Sequence, residues 1–173
     1  MNMDSFKKWV CTAVDMEDKG RKFYEKAAAD CQEGFGKDIF AMLRDDEIRH
    51  VEKIREIEKA LDNEQNLEKA CTLPDEQPDS RKIFRAMASG AEVHKACTST
   101  EKALETGLAF EQELIRFYQD ALDNAGEGLE KDFLTRMVAE EKQHYALLED
   151  LNFYYKDPEG WAMDQDRAGL DGA

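Results

Sequence analysis

Only three prolines occur in the 173 residues, at positions 74, 78 and 158. Proline removes a backbone donor and clashes with the turn before it, so uninterrupted helices are open to the chain on both sides of residue 74. The four cysteines, Cys11, Cys31, Cys71 and Cys97, form no C-x-x-C pair, which excludes a zinc ribbon or a rubredoxin-type iron site. The N-terminus carries no secretory signal, which points to a reducing cytoplasm and free thiols. No apolar run approaches the ~18 residues that a membrane span needs. Basic residues are also scarce: 24 Lys and Arg stand against 39 Asp and Glu, a net charge of −15. That surplus repels phosphate backbones and anionic membranes, so nucleic acid and membrane are not expected partners.

Against that background, two stretches stand out. Glu47-Ile48-Arg49-His50 and Glu141-Lys142-Gln143-His144 are the same Glu-x-x-His motif. Residues three apart on a helix share a face, so each motif aims a carboxylate and an imidazole in one direction. The rows Phe40, Leu43, Glu47, His50, Ile54, Ile57, Leu61 and Leu134, Met137, Glu141, His144, Leu148, Leu151, Tyr155 advance in alternating steps of three and four. That is the pattern of a buried helical seam, with an acid and a histidine where apolar residues belong. Two more seams carry one glutamate each: Val10, Ala13, Glu17, Gly20, Tyr24, Ala27 and Leu104, Gly107, Glu111, Leu114, Tyr118, Ala121.

The seams repeat. From 47 to 141 is 94 residues, and the same interval separates Glu17 from Glu111, Tyr24 from Tyr118, His50 from His144 and Gly34 from Gly128. The chain therefore reads as two gapless copies of a helix pair. Its length suits a single domain spanning 1–173. The first pair covers about 4–61, with Asp4 or Ser5 as the opening cap and Gly34 and Gly36 as the break. The second covers about 98–156, opened by Thr98 or Ser99 and broken at Gly126 and Gly128. A connector at 62–97 holds a short amphipathic helix at about 79–88, and a tail at 157–173 packs Trp161 on the bundle end. Helices of about 25 residues are roughly 37 Å long, which the connector can cross. The expected fold is all-α: a four-helix bundle with a long crossover between helices 2 and 3.

A buried lone carboxylate requires a paired charge, a proton or a metal. Together the seams hold Glu17, Glu47, His50, Glu111, Glu141 and His144. Four carboxylates with two neutral imidazoles balance two divalent cations. Oxygen-rich ligands with one imidazole per metal suit iron or manganese better than zinc. By symmetry Glu47 and Glu141 are the bridging candidates, with Glu17 and His50 at one end and Glu111 and His144 at the other. Tyr24 and Tyr118 share their glutamates' faces; they could hydrogen-bond a ligand carboxylate or serve as core tyrosines. Asp46, Glu52 and Glu140 fall off the seams and are expected on solvated faces, as is His94 in the connector.

The segments Met16-Glu17…Gly20…Phe23-Tyr24, Glu47-x-x-His50, Phe110-Glu111…Phe117-Tyr118 and Glu141-x-x-His144 resemble the metal-binding helices of the rubrerythrin family, in the ferritin-like superfamily. The tail from Asp157-Pro158-Glu159-Gly160-Trp161 to Ala173 is similar to the end of stand-alone members. The resemblance implies a ferritin-like bundle with two iron ions, replaceable by manganese or zinc, held by the six residues above. It implies reduction of hydrogen peroxide or oxygen with electrons from an external donor such as rubredoxin or a reductase, in a cytoplasmic homodimer. Two features depart from that family: no cysteine pair for a rubredoxin domain, and Leu114 where an extra ligand glutamate stands. Bacterioferritins share the six-ligand pattern, so iron binding or storage without substantial turnover is the alternative. Their haem-binding methionine is replaced here by Ile48.

Overall fold

The computed structural model describes residues 3–31, 34–62, 100–126 and 128–170. Among them are five helices and no strand: α1 (Met3–Asp30), α2 (Phe35–Asp62), α3 (Thr100–Asp123), α4 (Leu129–Lys156) and α5 (Pro158–Leu170). The connector, with its expected short helix, His94, Cys71, Cys97 and the caps at Thr98 or Ser99, lies outside the described residues. So does the side chain of Leu61.

The first four helices run where the seam periodicity predicts them. The turn between α1 and α2 pivots on Gly34, at φ 148°, and that between α3 and α4 on Gly128, at φ 111°. Both are backbone conformations that side chains disfavour and glycine accepts. Gly36, expected to share in the first break, instead sits in the first turn of α2. Its hydrogen leaves room for the Tyr155 hydroxyl, which receives a hydrogen bond from the Gly36 backbone.

Contacts along the helices fix their directions. From α1 to α2, Cys11 meets Glu58, Glu17 meets His50 and Tyr24 meets Phe40. From α1 to α3, Tyr118 meets Glu17 and Tyr24 meets Glu111. Helix α1 is thus antiparallel to both α2 and α3, and α2 and α3 run the same way. That is the direction a long crossover imposes.

The interior has three tiers. At one end Phe35, Ile39, Phe40, Leu43, Leu104, Leu147, Leu148 and Leu151 form an apolar cluster. At the other Val10, Ile54, Ile57, Leu114, Leu134 and Met137 form a second. The six acidic and imidazole side chains lie fully buried on the same seams. Among the seam residues the faces differ from expectation at the end of α4: Tyr154 is buried there and Tyr155 only partly so. Because α4 packs against α2, α3 and α5, its covered surface is wider than one seam and takes in Phe133, Val138 and Leu147 as well.

The tail is helical rather than irregular. Pro158 starts α5 at a position where a missing N–H costs nothing, and Asp157 accepts a hydrogen bond from the Gly160 N–H at 2.9 Å. Trp161 is buried edge-on against Tyr154, with ring centroids 5.4 Å apart. Cys11 is exposed and free. Cys31 is not: it is buried and disulfide-bonded. The expectation of free thiols is therefore corrected for Cys31, whose bonding the spacing of the cysteines does not reveal.

Trp161→Ala deletes the largest side chain joining α5 to the bundle. It is expected to destabilise the fold by about 3 kcal/mol, the usual cost of emptying a buried aromatic site, read as a lower midpoint in urea unfolding.

Candidate metal centre

Each seam brings its polar residue to the same level of the bundle. Glu17 comes from α1, Glu47 and His50 from α2, Glu111 from α3, and Glu141 and His144 from α4. One oxygen or nitrogen from each of Glu47, Glu111, Glu141 and His144 lies within 4.8 Å of the others, and so do atoms of Glu17, Glu47 and His50. Glu47 belongs to both groups.

Both imidazoles turn Nδ1 inward. His50 Nδ1 lies 3.1 Å from Glu17 Oε2, 3.2 Å from Glu141 Oε1 and 3.5 Å from Glu47 Oε2. His144 Nδ1 lies 3.3 Å from Glu141 Oε2, 3.5 Å from Glu47 Oε1 and 3.8 Å from Glu111 Oε2. Glu47 and Glu141 therefore each present one oxygen to one histidine and the other oxygen to the other. Two carboxylates spanning two histidines could be shared by metal held at either end. The rings themselves face each other with centroids 5.5 Å apart.

The repeat crosses over outside this centre. The Tyr24 hydroxyl donates to Glu111 Oε1, and the Tyr118 hydroxyl donates to Glu17 Oε1. Each tyrosine thus holds the glutamate of the other copy, on the neighbouring helix rather than on its own. The histidines are treated likewise: His50 Nε2 meets Glu140 Oε2 at 2.6 Å and His144 Nε2 meets Asp46 Oδ2 at 3.3 Å. Asp46 and Glu140 are therefore not solvated-face residues as the seam pattern suggested. Glu140 is buried and Asp46 partly so, whereas Glu52 is exposed. The signal that could have found them is the acid directly before the motif glutamate in both copies. It falls off the straight seam because it reaches sideways to the opposite helix.

Several buried polar atoms have no hydrogen-bond partner: both oxygens of Glu47, both of Glu141, Glu111 Oε2 and His144 Nδ1. All belong to the groups that converge on the centre. Such atoms cost about 1–3 kcal/mol each when left unsatisfied, and a cation among them would satisfy them together. The donor set, four carboxylates and two inward imidazole nitrogens, fits two oxygen-preferring divalent ions. Each imidazole's outer nitrogen meets a carboxylate, which fixes the tautomer and leaves the inner lone pair for a metal.

Without metal the same groups share protons. Burial, and then the charges of Glu47 and Glu141, push Glu17 well above the usual carboxylate range. Burial does the same to Glu111, against the pull of His144. Burial opposes charge on Glu47 too, but the neighbouring Glu17 and the two histidines outweigh it and hold Glu47 low. Glu141 is lowered as well, burial and the Glu47 charge being outweighed by the two histidines. Burial would lower both imidazoles. Instead the neighbouring Glu17 and Glu141 hold His50 well above its usual range, and the carboxylates of Asp46, Glu141 and Glu47 do so for His144. Protons are thus favoured on Glu17, Glu111 and both histidines and disfavoured on Glu47 and Glu141.

The chain belongs to the rubrerythrin family. The family profile matches residues 8–152, most of the chain. Comparison with curated proteins, and with solved structures, finds no match. The fold and the buried Glu/His cluster are those a metal-binding member of this family requires. Among the described residues no helix is long and apolar enough to cross a membrane.

Metal must displace the protons of Glu17, Glu111 and the two inner imidazole nitrogens, so loading is expected to acidify a weakly buffered solution. The same protons set a pH dependence. All four groups have raised values in the metal-free fold, so the folded chain holds more protons than the unfolded one above about pH 4.3 for the carboxylates and about 6.5 for the histidines. Stability from these groups is present below those values and is lost as pH rises. Glu47 and Glu141 act oppositely and lose their contribution only as pH falls below the usual carboxylate range. Loaded protein gains about 2.7 kcal/mol at a hundredfold excess over Kd, or several degrees in Tm for a chain of this size. The gap in Tm between loaded and chelator-treated protein should therefore widen from pH 6 to pH 8.5. A constant or shrinking gap in protein shown to lose its metal would contradict this.

Proposed function

We propose that this protein is a di-iron carboxylate oxidoreductase of the rubrerythrin type, reducing hydrogen peroxide or oxygen with electrons from an external donor such as rubredoxin or a reductase. The observation that carries the reading is the shared pair Glu47 and Glu141, each offering one oxygen to either histidine at 3.2–3.5 Å. An adventitious acidic cluster needs no such reciprocal geometry. Family membership supports iron as the metal, with manganese or zinc able to substitute. Glu17 with His50, and Glu111 with His144, complete the two ends. Cytoplasmic location and a homodimer belong to the same reading.

When bound, the two metal ions would supply redox equivalents and a Lewis-acidic surface for the oxidant. The chain's own residues do the rest. Tyr24 and Tyr118 hold the terminal carboxylates by their hydroxyls. Asp46 and Glu140 hold the outer face of each imidazole. The apolar clusters at both ends exclude bulk water from the carboxylates, which strengthens every charge interaction inside. Reduction of each peroxide to water takes two electrons, drawn from the donor, and two protons.

A specific feature favours the alternative, an iron-binding protein without substantial turnover. Leu114 lies fully buried in the apolar cluster beside the centre, where the peroxide-reducing relatives carry a further glutamate. The decisive experiment is metal analysis joined to anaerobic turnover. Two irons per chain and oxidation of the reduced protein by peroxide, faster than by oxygen, followed by re-reduction, support the oxidoreductase. Two irons with a single oxidation and no re-reduction support binding alone.

Glu141→Ala removes an oxygen facing each histidine. It is expected to bind fewer than two metals per chain, measured by elemental analysis after loading. Full occupancy would take Glu141 out of the centre. In the loaded wild-type protein the two ions are expected about 3.5–4 Å apart, as in other two-metal sites, measurable by X-ray absorption.

A further inference from the structure

The two ends of the centre are built from matching residues, yet they are not held equally. The shared carboxylates treat both ends alike: Glu141 lies 3.2 Å from His50 and 3.3 Å from His144, and Glu47 lies 3.5 Å from each. The difference lies in the groups that belong to one end only. Inside, His50 Nδ1 is 3.1 Å from Glu17, whereas His144 Nδ1 is 3.8 Å from Glu111 and has no hydrogen-bond partner. Outside, His50 Nε2 is 2.6 Å from Glu140, whereas His144 Nε2 is 3.3 Å from Asp46.

The sequence accounts for the outer difference. The repeat places an acid before each motif glutamate, but one is Asp46 and the other Glu140. Aspartate is one methylene shorter, a reach of about 1.5 Å. The Asp46 side chain is 24% exposed, that of Glu140 6%. Asp46 is also drawn the other way, because its second oxygen binds the Arg49 guanidinium on its own helix. Water competes for an exposed hydrogen bond and lowers its net worth. His50 is thus clamped from both sides by buried carboxylates. His144 is held at longer range by a carboxylate that is partly exposed to solvent.

We propose that Asp46 and Glu140 are positioning residues that set, across the repeat, how firmly each histidine is held, so that the cation position at His144 is the exchangeable one and that at His50 the resident one. This rests on the two-cation reading of the centre. Each outer carboxylate keeps the Nε2 proton in place and the Nδ1 lone pair aimed inward. The weaker of the two contacts lets its ring swing and its cation leave. One aspartate-for-glutamate difference makes a symmetric ligand set functionally unequal.

The test is metal release from the full chain, loaded anaerobically with manganese(II) and challenged with excess chelator. Stoichiometry and the manganese spin-resonance signal are followed with time. Release in two phases of one ion each is expected. Asp46→Glu, which restores the missing methylene, should slow the fast phase about tenfold, and Glu140→Asp should speed the slow phase about tenfold, at the low end of what outer partners of metal ligands contribute. Opposite responses to two conservative exchanges are not what a general loss of stability would give. Release of both ions in one phase, unmoved by either exchange, overturns the proposal and leaves the two-cation reading standing. Failure of the wild-type chain to hold manganese, zinc or iron at any excess overturns both.

Discussion

Burial of like charge governs this fold. Four carboxylates meet in the middle of a bundle whose two ends are aliphatic, at a separation where they cannot all be ionised without compensation. Every unusual feature nearby answers that demand. Two histidines are held above their usual range, two tyrosines donate to the end carboxylates, and Asp46 and Glu140 stand behind the imidazoles. Even so, the oxygens of Glu47 and Glu141 remain without hydrogen-bond donors. A purely structural network would have closed on itself. This one closes for its outer members and stays open at its centre, which fits a metal site.

The internal repeat explains how so polar a centre is assembled. A helix pair cannot bury its own Glu-x-x-His seam, because one glutamate and one histidine would face an apolar gap. Two pairs set face to face supply each other's missing partners. The exchange is reciprocal at every level: Tyr24 with Glu111 and Tyr118 with Glu17, His50 with Glu140 and His144 with Asp46. The 94-residue interval in the sequence thus becomes an approximate two-fold relation in space. It is broken where the copies differ. Trp9 stacks on Phe117 at 5.6 Å, while the residue 94 positions on is Ala103. Gly20 admits the edge of Phe110 beside Glu47, where the second copy has Leu114.

The buried Glu/His cluster and the helices were legible because helical periodicity is a local, one-dimensional property. Glu17, Glu47, His50, Glu111, Glu141 and His144 each interrupt a row of apolar residues at steps of three and four, and all six are buried in the bundle. The glycine breaks were legible for a similar reason, since Gly34 and Gly128 take backbone angles that few other residues tolerate. The helical tail was less so: Asp157-Pro158 ends one helix and also begins the next, and the sequence shows the stop more clearly than the restart.

What the sequence determined by itself is the composition of each seam, the register of the repeat and so the chemistry available at the centre. What only the tertiary structure decided is who faces whom. Asp46 and Glu140 lie one residue off the seam, about 100° around the helix, and on a single helix that direction reads as solvent. It becomes interior only because another helix's histidine lies there. The same holds for the tyrosines, whose partners sit on the neighbouring helix, and for Cys31, whose pairing no local pattern announces. Periodicity fixes which face a residue occupies on its own helix. Packing angle and distance between helices fix what that face meets, and those are set by side chains far apart in the chain.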